Sequence, residues 1–166
     1  MKKTQQSTFS SPWWMTLYIV LQCTWGFLQS ALGLCLFLIH LKEPHDFYHG
    51  SIRTKWATFN GISLGFFIFT PNEDSPNLSK RTSQGRDKIK DTCERISVHE
   101  YGHTYQSLIL GPLYLFTVGI TSLIWSRSTY YQTKRKKDGL TYSSLWTEKW
   151  ANNLGEKILN KPSISH

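Results

Sequence analysis

From Trp13 to Leu41, "WWMTLYIVLQCTWGFLQSALGLCLFLIHL", the chain has no Asp, Glu, Lys or Arg. A surface helix of a soluble domain needs a polar face, so a charge-free run of this length excludes that placement. It exceeds the roughly 20 residues that cross a bilayer as a helix. A secretory leader is excluded too, because the run is too long for a leader's apolar core and ends in "HLKEPHDFYHG" without a small-residue cleavage site. The expectation is one long, retained transmembrane helix. Ser10 or Ser11 caps it, Pro12 sits in its first turn, and Trp13 and Trp14 suit headgroup level. At ~1.5 Å per residue it is about 43 Å long against about 30 Å of hydrocarbon, so it must tilt, kink or extend into the interface. Gly26, Ser30 and Gly33 are its close-packing positions.

Cysteine is scarce as well. Cys23, Cys35 and Cys93 show neither CxxC spacing nor the even count of a disulfide framework. Acidic residues number 11 against 19 Lys and Arg, a net charge of +8, yet no folded basic motif of a nucleic-acid reader accompanies the excess. Nucleic acid is therefore excluded as the expected partner, and the anionic headgroups of a lipid bilayer fit better. Internal repeats are absent, and 166 residues suit a single membrane-embedded domain over 1–166.

After the apolar run, "SIRTKWATFNGISLGFFIFTP" predicts a short β-hairpin of two strands turning at Asn60-Gly61. Residues 71–90, punctuated by Pro, Gly, Ser and Asn, predict a flexible polar loop. A helix is expected from about Asp87 to Leu110, kinked or broken at Gly111-Pro112. It continues into an uncharged stretch, Leu108 to Trp125, of borderline length for spanning. A polar loop, "SRSTYYQTKRKKDGLTYSS", leads to a C-terminal amphipathic helix at roughly Ser144 to Leu159 with Trp146, Trp150, Leu154 and Ile158 as its apolar stripe. The fold expected is a mainly α membrane protein with one short hairpin.

Within the central helix, "VHEYGHTYQS" places His99 and His103 four residues apart, so both imidazoles can face one ion, with Glu100 about 100° round. Zinc held so lowers the pKa of a water to about 7, and the adjacent glutamate accepts its proton as the water attacks a carbonyl. Glu100 is the candidate catalytic base. A catalytic zinc needs a third protein ligand. Of the acids beyond the motif, Asp138 lies in the basic "KRKKDG" segment and Glu156 near the end of the last helix, which makes Glu148 the better candidate. Asn152, one turn further on the same face, can accept a hydrogen bond from a ligand histidine and fix its ring. His45 and His49 in "HDFYH" share the i, i+4 spacing but lie between Pro44 and Gly50 in a loop, without a base. Tyr105, Tyr130, Tyr131 and Tyr142 could each supply a hydroxyl to an oxyanion, and spacing does not choose among them.

HExxH followed by "EKWAN" resembles the paired motifs of membrane gluzincins, the CaaX prenyl protease and heat-shock membrane protease group. "HEYGHTYQSLILGPLYL" with "TEKWANNLG" is similar to small bacterial membrane proteins bearing an HEYGHxxQS motif. The resemblance implies His99, His103 and Glu148 as zinc ligands, Glu100 as base, and a membrane-bound metallopeptidase acting on a peptide or membrane-protein substrate. Asn152 stands where the gluzincin pattern has Asp. It brings no negative charge, so zinc affinity should fall. The alternatives are a non-catalytic zinc-binding membrane protein and a membrane scaffold without metal.

Lys and Arg number two before the apolar run, nine from Lys42 to Arg95, and eight after Trp125. That distribution places both later regions on the cytoplasmic side of a bacterial inner membrane, with the metal near that face and the 108–125 segment re-entrant or packed on the first helix. The "GISLGFFIFT" strand would offer an edge to an extended peptide.

Overall fold

The charge-free run does not form one helix. In the computed structural model, which describes residues 11–81 and 85–164, it is two helices, α1 (Pro12–Thr24) and α2 (Phe27–Ile39), bent by 90°. Among the described residues no single helix is long and apolar enough to cross a membrane, although α1 and α2 together have the length and composition of a broken span. The elbow is held by polar groups hidden in the apolar run. Gln22 and Gln29 are both fully buried. Gln22 Nε2 donates to the Thr104 carbonyl (2.9 Å), and Gln29 Nε2 donates to Ser107 Oγ (2.8 Å) and the Gly111 carbonyl (3.0 Å). Ser30 Oγ donates to the Gln22 carbonyl across the bend (2.7 Å). Leaving one such buried group unpaired would cost about 1–3 kcal/mol. A Cβ at Gly26 would meet Gln22 Oε1 at 2.7 Å, and one at Gly33 would meet the Phe67 ring at 2.9 Å.

Ser11 caps α1, its Oγ accepting from the Trp14 amide (3.3 Å), while Ser10 lies outside the described residues. The tryptophan pair divides. Trp13 is 81% exposed, whereas Trp14 packs on Tyr105 and donates from Nε1 to its hydroxyl (3.0 Å).

Four strands replace the expected hairpin: β1 (His45–Tyr48), β2 (Ser51–Trp56), β3 (Ile62–Leu64) and β4 (Phe67–Pro71), in the order β1-β2-β4-β3. β1–β2 and β3–β4 are antiparallel, and β2–β4 is parallel. The tight turns fall at His49-Gly50, both with positive φ (49° and 100°), and at Gly65 (61°). Two positive φ values in succession are what a type I′ hairpin turn requires. Asn60-Gly61 instead lies in the β2–β3 crossover, where the Asn60 carbonyl accepts from Trp56 Nε1 (2.7 Å). "HDFYH" is thus strand and turn, with His45 Nδ1 beside Thr54 Oγ1 (3.0 Å). β4 is an inner strand, buried at all five positions, and the edges of the sheet are β1 and β3.

The polar segment 71–90 contains a short helix, α3 (Pro76–Arg81), and α4 (Arg86–Leu110) begins before its end; residues 82–84 lie outside the described ones. α4 is the centre of the fold, buried without interruption from Ile96 to Ser107. It ends at Gly111 (φ 53°), where a side chain would strike the Trp25 indole, so the elbow of α1 and α2 seats against the end of α4. A 3-10 turn (Gly111–Leu113) extends it, and after a bend of 114° a π-helical turn (Leu115–Gly119) and α5 (Ile120–Arg127) follow.

The basic stretch is not a loop. Thr129–Asp138 forms α6, built from Lys, Arg and Gln, which propagate helix well, with Arg135, Lys136 and Lys137 in the last turn where the dipole favours cations. Gly139 (φ 64°) ends it. The last helix, α7 (Trp146–Leu159), buries Thr147, Glu148, Ala151, Asn152, Gly155 and Ile158. Its Trp146 and Trp150 stack on each other towards the outside, Trp146 being 55% exposed, whereas Leu154 and Ile158 pack on the core, so only the second half of the apolar stripe docks. Small residues dock it: a Cβ at Gly102 would overlap the Ala151 carbonyl, and one at Gly155 would overlap the Val98 carbonyl.

Candidate metal centre

Backbone-to-backbone contact between α4 and α7 brings three side chains to one point. His99 and His103 lie one turn apart on α4, and Glu148 projects from the first turn of α7; all three are buried. His99 Nε2 is 3.1 Å from Glu148 Oε2, His103 Nε2 is 3.4 Å from the same oxygen, and the two Nε2 atoms are 3.2 Å apart.

Surrounding amides set the proton positions. Asn152 Nδ2 donates to the Ile164 carbonyl (3.1 Å), which turns Oδ1 to His99 Nδ1 (2.7 Å). Gln106 Nε2 donates to the Thr147 carbonyl (2.8 Å), which turns Oε1 to His103 Nδ1 (2.7 Å). An amide oxygen only accepts, so this network assigns a proton to Nδ1 of both rings. Each neutral imidazole then presents an Nε2 lone pair to Glu148 Oε2, a buried oxygen without a hydrogen-bond partner among the described residues. Burial raises the Glu148 carboxyl, and a positive charge at the two Nε2 positions, a proton or a metal ion, holds it below the usual range. Three lone pairs this close repel one another unless a positive charge lies among them. The buried His99, His103 and Glu148 group could hold a metal ion, and it is the one such group among the described residues.

Two supports carry little or no signal in the residue pattern. Gln106 was legible only as part of the HEYGHxxQS string, and its i+3 spacing from His103 is the single local hint. Ser122, on α5, donates to Glu148 Oε1 (2.5 Å) and lies 3.1 Å from Thr147 Oγ1, which leaves Oε2 to face the histidines.

Glu100 is buried beside the same cluster, against Gly61. Burial pushes its carboxyl up to about 8, opposed by His99 and reinforced by Glu148. A dication among the ligand atoms would act against that rise. Of the tyrosines, Tyr105 packs with Tyr18 and Tyr101, while Tyr130 and Tyr131 lie on α6. Tyr142 sits within reach of Glu148, while Tyr114 is buried with its hydroxyl donating to the Ser63 carbonyl (3.3 Å). Asp138 ends α6, and Glu156 takes the amide of Ser163 (3.0 Å); neither joins the cluster. Comparison with protein-family models, curated proteins and solved structures gives no match for the chain.

Proposed function

We propose that this chain is a membrane-bound zinc metallopeptidase of the gluzincin kind, cleaving peptide bonds at or near a membrane. One observation carries the proposal: two Nε2 lone pairs and an unpartnered carboxylate oxygen converge at 3.1–3.4 Å in a buried site. Donor atoms bound at about 2.0–2.2 Å around a tetrahedral zinc stand roughly 3.3–3.6 Å apart, close to this spacing. A His, His, Glu set is a borderline N/O environment suited to zinc, and three protein ligands leave a fourth position for water or substrate.

Bound there, zinc would supply a water of lowered pKa and polarise the scissile carbonyl. Glu100 takes the proton of the attacking water and delivers it to the leaving amine. Asn152 and Gln106 hold the two imidazoles by their Nδ1–H groups, and Ser122 holds Glu148 by its other oxygen. β3 begins beside Gly61 and Glu100, and an extended peptide would pair along it on release of the Ser63 carbonyl from Tyr114.

Membrane attachment rests on the apolar side chains left outside. Trp13, Phe27, Leu38, Ile39 and Leu41 are more than half exposed on α1, α2 and the turn after it, as are Leu113, Phe116 and Leu123 along the second bent segment. Exposed apolar surface of this kind marks a lipid or protein contact. The chain is expected to sediment with membranes and to require detergent for release; recovery in the aqueous fraction after cell lysis would sink this part of the proposal.

The test of function is zinc per chain, with hydrolysis of a dye-labelled unfolded protein, for wild type, His99→Ala and Glu100→Gln. Wild type should hold one zinc, His99→Ala none, and Glu100→Gln should keep zinc while losing about 10²-fold or more of its rate. Wild type without zinc removes the proposal. A second reading, a zinc-binding membrane protein without catalysis, is favoured by Asn152 alone, since an amide adds no charge to its histidine. It predicts zinc in wild type with no hydrolysis to lose.

A further inference from the structure

Where a carboxylate supports a ligand histidine, both of its oxygens accept, and a half-turn of the group changes nothing. An asparagine has no such symmetry. Were the Asn152 amide to flip, Nδ2 would face His99 Nδ1, force the proton to Nε2, and aim it at the position the metal needs. An Asn at this place therefore requires a lock on its orientation.

The segment after α7 supplies one. Asn160 takes the left-handed conformation (φ 52°), and the chain turns back along α7. Lys161 Nζ donates to Glu94 Oε1 (2.7 Å), and Arg95 Nη1 reaches the Ser163 carbonyl (3.4 Å), tying the segment to α4. Ser163 is fully buried. Its hydroxyl lies between Asn152 Oδ1 (2.9 Å) and Glu156 Oε1 (2.8 Å), and Glu156 Oε1 also accepts the Ser163 amide (3.0 Å). The next carbonyl, Ile164, accepts from Asn152 Nδ2 (3.1 Å) and from Ser143 Oγ (3.0 Å). The hydroxyl has one proton for these two acceptors; with it on Asn152 Oδ1, one end of the amide meets a donor and the other an acceptor, and wherever that proton lies a flipped amide would set oxygen against oxygen at Ile164.

We propose that Ser163, together with the Ile164 carbonyl, is a positioning residue for the metal centre, locking the Asn152 amide so that His99 keeps its Nδ1 proton and offers Nε2. The proposal rests on the metal site described above. It also explains why Asn stands here: an Asp would turn one oxygen onto the Ile164 carbonyl, so the amide and the returning segment belong together.

The test uses the full chain in detergent, with two readouts. The first is zinc affinity by chelator competition. The second is the His99 imidazole tautomer by nitrogen-15 NMR without added metal. Ser163→Ala should weaken zinc about tenfold, a typical loss for an outer support of a ligand histidine, and should mix Nε2–H tautomer into His99. Ser163→Thr, which keeps the hydroxyl, should restore both. In an Asn152→Asp background, whose second oxygen already opposes the Ile164 carbonyl, Ser163→Ala should not shift the His99 tautomer further, because either carboxylate oxygen accepts the Nδ1 proton. Wild-type affinity and tautomer in Ser163→Ala would overturn the proposal, as would equal tautomer shifts in both backgrounds. Wild type that binds no zinc, yet loses the Nδ1–H tautomer on Ser163→Ala, would uphold the lock and remove the zinc reading instead.

Discussion

Gly102→Ala is expected to empty the metal centre and to lower the melting temperature, although residue 102 is not a ligand. The atoms a Cβ would meet there are backbone: the Ala151 carbonyl oxygen and carbon, then the Gly155 amide nitrogen at 3.0 Å. Backbone in mid-helix has no rotamer to change, so α7 as a whole must move away from α4. That helix carries Glu148, Asn152 and the Thr147 carbonyl that orients Gln106, so three supports of the two histidines leave together. Overpacking of this kind costs about 1–3 kcal/mol or more, which corresponds to a drop of roughly 2–10 °C in a chain of this size. Zinc per chain and a thermal melt check both. Gly119→Ala is the control, because its nearest neighbour would stand at an ordinary 3.7 Å. Wild-type zinc content and melting temperature in Gly102→Ala would show that α7 does not depend on this contact.

The parts of the fold that could be read from the sequence are those governed by local rules. A helix through His99 and His103, its end at Gly111, and a last helix with Glu148 and Asn152 on a face apart from Trp146 and Trp150 all follow from i, i+4 geometry and glycine conformation. The convergence of Glu148 on the histidines is long-range, and it is legible only because a catalytic zinc demands a third ligand and the EKWAN string resembles a second motif. What could not be read depends on partners distant in sequence. Gln22 and Gln29 are uncharged, so they pass unnoticed in a run judged by its charges, yet their bonds to Thr104, Ser107 and Gly111 accompany a 90° bend where one straight helix was expected. Asn60-Gly61 has the composition of a hairpin turn, but positive φ is found at His49-Gly50 and Gly65, and Gly61 has another use. Ser122 and Ser163 are ordinary serines until the fold sets one on Glu148 and the other on Asn152.

Gly61→Ala should give the opposite result to Gly102→Ala: zinc kept, fold kept, hydrolysis lost. All three nearest atoms to a Cβ at residue 61 belong to the Glu100 side chain, its carboxylate first. The flexible end of a side chain can swing away where a helix backbone cannot, so the change in stability should be small. The end that swings is the proposed base. Residue 61 has no positive φ, so the backbone accepts alanine without strain, and the loss traces to the displaced carboxylate alone. A misplacement of about 1 Å at the reacting groups costs on the order of 10²-fold in rate, and none of the three nearest atoms belongs to His99, His103 or Glu148. The expected signature is a fall in kcat with KM for a dye-labelled unfolded protein little changed, zinc at one per chain, and a melting temperature close to wild type. Glu100→Gln combined with Gly61→Ala should be no worse than Glu100→Gln alone, because both remove the same base. Full activity in Gly61→Ala would mean that Glu100 does not work from the position it occupies against Gly61. Loss of zinc would instead assign residue 61 to holding the centre together.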